Sequence, residues 1–174
     1  LTAAANAESG AVVDTSSVIA RLRDPDPSAR KSAAKELGAV STDDRAAVDA
    51  LITALKDPDP EVGYTAAYAL GTVGAHSEST VDALVNALGD TTLSAVSFAA
   101  FALGRVGPSA SRAVPALLQA LRSGNQSVCM SAGYAIGSIT VDASGILPEL
   151  EELLRDGNPN VRVSAAETLG ALGD

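Results

Sequence analysis

Asp57-Pro-Asp-Pro-Glu-Val-Gly-Tyr-Thr-Ala-Ala-Tyr-Ala-Leu-Gly-Thr-Val-Gly74 is one copy of a pattern that returns every 33 residues. Its Leu70-Gly71 pair recurs as Leu37-Gly38, Leu103-Gly104, Ile136-Gly137 and Leu169-Gly170, with no insertion or deletion. Upstream, Leu55 has the equivalents Leu22, Leu88, Leu121 and Leu154. A fixed short period signals a stacked array, because one unit of this size cannot bury its apolar face alone. Arrays of this kind present surfaces more often than they carry reactive groups.

Each unit reads as two helices. Val48, Leu51, Ile52 and Leu55 fall at i, i+3, i+4 and i+7, the spacing of one apolar helical face. After the Asp-Pro-Asp-Pro break, Val62, Ala66, Leu70 and Val73 form a second stripe. Asp26, Asp59, Thr92, Asn125 and Asn158 share one column, and each can accept a hydrogen bond as the N-cap of the second helix. Pro27, Pro60 and Pro159 follow at the first helical position, where the missing N–H costs nothing. The glycines at 71, 74, 104 and 107 read as C-caps past the last turn. Pairs of alanine (Ala33-Ala34, Ala66-Ala67, Ala99-Ala100) allow the two helices of a unit to approach closely.

The period also suits ankyrin repeats, but their Thr-Pro-Leu-His signature is absent. The units instead resemble HEAT-like repeats, above all the short variety of phycobilisome lyase subunits. The resemblance rests on Asp57-Pro-Asp-Pro-Glu-Val62, Ala66-Ala-Tyr-Ala-Leu-Gly71 and Val73-Gly74, echoed by Leu22-Arg-Asp-Pro-Asp-Pro27 and Val161-Arg-Val-Ser-Ala-Ala-Glu-Thr-Leu-Gly170. It implies an all-α fold: a right-handed α-solenoid of five two-helix units at about 15–41, 42–76, 77–109, 110–142 and 143–174. Residues 1–14 do not align with the repeat and read as a flexible N-terminal arm. The chain stops at Leu169-Gly-Ala-Leu-Gly-Asp174 with no helix to cover the last unit. A longer array, or an interface at that open face, is therefore expected.

Composition excludes several functions. Net charge is −9, with only three lysines (Lys31, Lys35, Lys56), so nucleic acid and anionic lipid surfaces are repelled. The acidic, lysine-poor balance points to a salt-in halophile. No apolar run approaches the roughly 20 residues of a membrane span. The lone Cys129 permits no internal disulfide and fits a cytoplasmic protein.

The functional signal lies where the central units leave the consensus. One column of the second helix reads Lys35, Tyr68, Phe101, Tyr134, Glu167; one turn earlier it reads Lys31, Tyr64, Ser97, Met130, Val163. With Phe98 beside them, all five aromatic residues and the single methionine lie on the second helices of the three central units. The arginine usual in the resembled family remains as Arg30 and Arg162, whereas Gly63, Val96 and Cys129 stand in the middle. Residues at i and i+4 share a helical face, and stacked helices lie roughly 8–10 Å apart. Tyr64, Tyr68, Phe98, Phe101, Met130 and Tyr134 are thus expected to line a concave groove, with Lys31, Lys35 and Glu167 on its rim. Each aromatic offers about 150–250 Å². Cys129, placed at an outward or edge position, is the one candidate reactive thiol near the groove.

Other chemistry is not supported. Gly71-Thr-Val-Gly74 and Gly104-Arg-Val-Gly107 follow helices, whereas a phosphate loop follows a strand. The Asp24/Asp26 and Asp57/Asp59 pairs sit in helix-capping sequence. His76 reads as a solvated loop residue, and one His with one Cys makes no metal cluster. The expectation is a module with no catalytic residues, metal or cofactor. It binds an apolar segment of a protein or peptide partner through the groove, or pairs with itself there or at the C-terminal face. The alternative implied by the resemblance is a lyase-like subunit holding a chromophore or tetrapyrrole, whose propionates would meet Lys31, Lys35 and Arg105.

Overall fold

The computed structural model describes residues 14–39, 44–75, 77–140 and 142–173. The N-terminal arm up to residue 13 and His76 lie outside them. Among the described residues ten α-helices run in order: α1 Thr15–Arg21, α2 Pro27–Ala39, α3 Arg45–Ala54, α4 Pro60–Gly74, α5 Glu78–Ala87, α6 Leu93–Val106, α7 Val114–Leu121, α8 Gln126–Ile139, α9 Leu147–Leu153 and α10 Pro159–Gly173. A 3-10 segment, Gly107–Ala113, precedes α7. No strand occurs among the described residues. The fold is an all-α array of helix pairs.

The even-numbered second helices pack on their neighbours along much of their length: α2 on α4, α4 on α6, α6 on α8 and α8 on α10. First helices meet only sparsely, as α1 with α3 and α3 with α5. Between the two rows lies a core in which Leu37, Leu51, Leu55, Leu70, Leu84, Leu103, Leu117, Leu121 and Ile136 are fully buried. The alanine pairs at 33–34, 66–67 and 99–100 are fully buried too.

The loop between the helices of each unit is held by one repeated device. Asp24, Asp57, Asp90, Ser123 and Asp156 each accept a hydrogen bond from the backbone N–H two residues on, at Asp26, Asp59, Thr92, Asn125 and Asn158. Those residues then cap the second helix. The side chains of Asp26, Asp59, Asn125 and Asn158 accept from Ser28, Glu61, Val128 and Asn160 N–H. Thr92 alone departs from the expected capping column and makes no side-chain cap bond. The paired aspartates are thus turn and cap acceptors. Asp14 likewise caps α1 through Ser16 N–H, which puts it with the helix and corrects its placement in the arm.

The glycine C-caps need a larger correction. Gly71 and Gly104 lie inside α4 and α6, which run on to Gly74 and Val106. Of the four glycines read as C-caps, only Gly107 has a positive φ, at 72°. A Cβ on Gly38 would come within 2.6 Å of Ala69 Cβ, one on Gly71 within 2.6 Å of Arg105 Cβ, and one on Gly104 within 2.7 Å of Tyr134 Cε1. The Leu-Gly column is where the next second helix presses in.

Candidate functional site: an aromatic strip on the central second helices

α4, α6 and α8 carry the strip. Phe101 is half-buried between two exposed tyrosines. Its ring centroid lies 5.3 Å from Tyr64, tilted by 32°, and 6.0 Å from Tyr134, nearly parallel at 23°. Centroid spacings in this range are those of attractive aromatic pairs. Tyr64, Tyr68, Met130 and Tyr134 keep 48%, 48%, 55% and 50% of their surface in solvent. Three successive units therefore present one continuous aromatic wall, open on its outer face.

The glycines explain how rings fit there. A Cβ on Gly63 would stand 2.6 Å from Phe98 Cε2, so Phe98 lies on the bare backbone of α4. This half-buried ring packs against the core. Gly104 accepts the edge of Tyr134 in the same way. Glycine replaces the outer units' arginine at 63, and a neighbouring ring takes the space.

That arginine has a visible role in the outer units. Arg30 donates to both carboxylate oxygens of Asp57, at 2.7 and 2.8 Å, and to the carbonyls of Asp24 and Pro25. The pair is largely buried. The two-point hydrogen bond to Arg30 holds the Asp57 carboxyl below the ordinary aspartate range, and in turn raises the Arg30 guanidinium. Arg162 reaches the carbonyls of Asp156 and Gly157 at 2.8 and 3.0 Å. Between units 2 and 3 the tie is Lys56 to Asp90 at 2.5 Å; with the Thr92 N–H, it holds the Asp90 carboxyl down at about 2.

Cys129 fills the same column in the fourth unit, but not as expected. It is fully buried, and its Sγ donates to the Leu121 carbonyl at 3.0 Å. Its thiol is a core group and not an outward or edge one, because α8 turns this position toward α7. Lys31, Lys35 and Glu167 are exposed on α2 and α10. Lys31 pairs with Glu61 at 3.3 Å, while Lys35 and Glu167 form no ion pair with a described residue.

Arg105, expected only as a partner of propionates in the alternative reading, also stands against the strip. The guanidinium carbon of Arg105 stands 3.6 Å above the Tyr68 ring centroid, a cation–π contact. Its column reads Ala39, Thr72, Arg105, Ser138, Ala171, so the one charge among small residues was the available signal. No group of three or more potential metal ligands gathers among the described residues. None of their helices is long and apolar enough to cross a membrane. Shallow clefts open between first helices, one of about 450 Å³ lined by Val48, Ile52 and Ala83, but they hold no comparable cluster.

The family model for HEAT repeats matches residues 15–104 and 114–174. This chain belongs to the HEAT repeat family. The interruption coincides with the 3-10 segment before α7. A second model, the PBS lyase HEAT-like repeat, matches residues 97–123. No curated protein sequence matches the chain. Among solved structures, it is similar to one of the complex of CpcE and CpcF of phycocyanin lyase from Nostoc sp. PCC7120, with a TM-score of 0.60 and 27% identity. That match covers 99% of this chain and 70% of the other. A designed armadillo repeat protein in complex with the peptide (KR)4 matches at 20% identity and a TM-score of 0.55, over 91% of this chain and 81% of that one, and shares the fold alone. The repeat model and the Nostoc complex both lead to lyases, and they correct the expectation that this HEAT repeat chain stands outside enzymatic chemistry.

Proposed function

We propose that this chain is a subunit of a lyase-type assembly. Its central second helices hold a flat conjugated chromophore, a tetrapyrrole, while it is attached to or released from a partner protein. The observation that carries the reading is the Tyr64–Phe101–Tyr134 stack, three rings deep across three units and bare on its outer face. An extended planar molecule can lie along such a wall with ring-to-ring contact at each unit. Similarity to the phycocyanin lyase complex over nearly the whole chain supports the same assignment.

A subunit of this kind contributes to catalysis by positioning. Holding two reactants in the right geometry converts a bimolecular encounter into an effectively unimolecular one. The described strip offers phenols, a cation and stacking surface, so its share is to bind, orient and shield the chromophore. The partner protein brings the group to which the chromophore is joined. Titration with biliverdin, a linear tetrapyrrole, tests this through visible absorbance and induced circular dichroism. Saturable spectral change is the expected result; spectra that merely add would refute the assignment.

A second reading has one specific observation in its favour. Met130 and Val163, neighbours in one column, are each 55% exposed beside the strip. Such an aliphatic margin suits an apolar segment of a protein or peptide partner. Under that reading biliverdin leaves the protein's spectrum unchanged, while a matching amphipathic peptide binds.

A further inference from the structure

Arg105 is the least settled charge on the second-helix face. Its stem lies along α4 because Gly71 is bare there: a Cβ would meet Arg105 Cβ at 2.6 Å and Cδ at 3.3 Å. This bed sets the guanidinium over the Tyr68 ring, its carbon 3.6 Å from the centroid. The Nε atom is shut off from solvent and has no hydrogen-bond partner. The two terminal nitrogens are not shut off, yet no described residue accepts from them. Arg21, Arg30, Arg112 and Arg122 pair with carboxylates, whereas Arg105, like Arg23, Arg155 and Arg162, pairs with none among the described residues; of these four only Arg105 has a side-chain nitrogen shut off from solvent without a partner.

A cation that has lost water on one face and gained no anion is incompletely compensated. A planar guanidinium backed by an aromatic ring offers its open edge to a carboxylate, which it can bind through two parallel hydrogen bonds. Tyr68, on which it rests, shares α4 with Tyr64, one turn earlier and at one end of the aromatic stack.

We infer that Arg105 is the carboxylate anchor of the strip. The ligand class it selects is a flat conjugated molecule bearing an acidic side arm: the rings stack on Tyr64, Phe101 and Tyr134, and the arm reaches back to Arg105. Gly71 and Tyr68 are the positioning residues that hold the guanidinium in place. This inference rests on the chromophore reading and adds to it a requirement for charge on the ligand.

The test uses biliverdin, which carries two free carboxylates, and its dimethyl ester, which keeps the conjugated frame without them. Both are titrated into the wild-type chain and into Arg105→Gln, with circular dichroism to compare the folds. The expected result is roughly tenfold or greater weakening for the ester, as for loss of a hydrogen-bonded charge partner. Arg105→Gln should weaken the free acid similarly and leave the ester unchanged. Equal affinity of acid and ester for the wild-type chain overturns the anchor while leaving the chromophore reading intact. If neither compound binds, both fall together. The ester comparison on the unmodified protein decides the matter even if Arg105→Gln fails to fold.

Discussion

The outer and central units of this array use equivalent positions for different ends. In the first and last units, Arg30 and Arg162 reach back to the preceding loop and tie it down through carbonyls; Arg30 adds the Asp57 carboxylate. In the middle, Gly63, Val96 and Cys129 release that position, and all three are buried. Phe98 settles on Gly63, Tyr134 on Gly104 and Arg105 on Gly71. The central helices thus exchange a polar clamp for a close backbone approach that supports an exposed row of rings. The same repeat position clamps a loop in the outer units and makes room for exposed rings in the centre, and the difference rests on a few positions.

Restoring the outer pattern in the centre should have the largest effect. Gly63→Arg puts a long side chain where the Phe98 ring lies, and overpacking in a filled interior costs typically 1–3 kcal/mol or more. A lower thermal midpoint with loss of chromophore binding is expected; an unchanged midpoint would mean that Phe98 does not need the bare backbone. Gly104→Ala should follow, because its Cβ meets both the Tyr134 ring and Ala135 Cα, at 2.7 and 3.0 Å. Clash there outweighs the roughly 1 kcal/mol that alanine gains over glycine in a helix. At Gly170, the same column in α10, a Cβ meets nothing within 4 Å. Gly170→Ala should therefore stabilise by up to about 1 kcal/mol. Chemical denaturation of the two variants checks this reversal of sign within one column.

The loop ties give a smaller, pH-dependent effect. The Asp57 and Asp90 carboxyls both lie below their ordinary range in the folded chain, Asp90 at about 2. A depressed carboxyl contributes stability above its unfolded value near 4 and loses it as pH falls through its folded value. The stability that these ties supply should then decline between about pH 4 and pH 2. Asp57→Asn should flatten that decline and lower stability near neutral pH, through loss of the Arg30 pair. Lys56→Gln should act in the same direction but less, since the lysine is exposed and solvent screens such pairs.

Much of this was legible in the sequence because each repeat restates it. The helix pairs, the caps at Asp26, Asp59, Asn125 and Asn158, and the membership in a HEAT-like family follow from columns within one unit. The gathering of Tyr64, Phe101 and Tyr134 followed from the columns as well. What was misread depends on contacts between units. Gly71 and Gly104 look like helix stops because glycine is a poor helix former, yet they mark where side chains 34 and 30 residues later press against the helix. Cys129 looks outward on a helical wheel until the facing α7 is placed over it. Arg105 was named beside the groove, but its seat over Tyr68 of the preceding unit is a relation no single-helix pattern encodes.

Whether the rings of the middle units form the binding site can be read from one comparison. A Tyr68→Lys, Phe101→Glu, Tyr134→Lys triple variant and the wild-type chain, matched for helicity by circular dichroism, are titrated with biliverdin in parallel. Saturable spectral change in the wild type and its loss in the variant is the predicted result. Equal binding by both proteins would contradict the account and move the site off the aromatic strip.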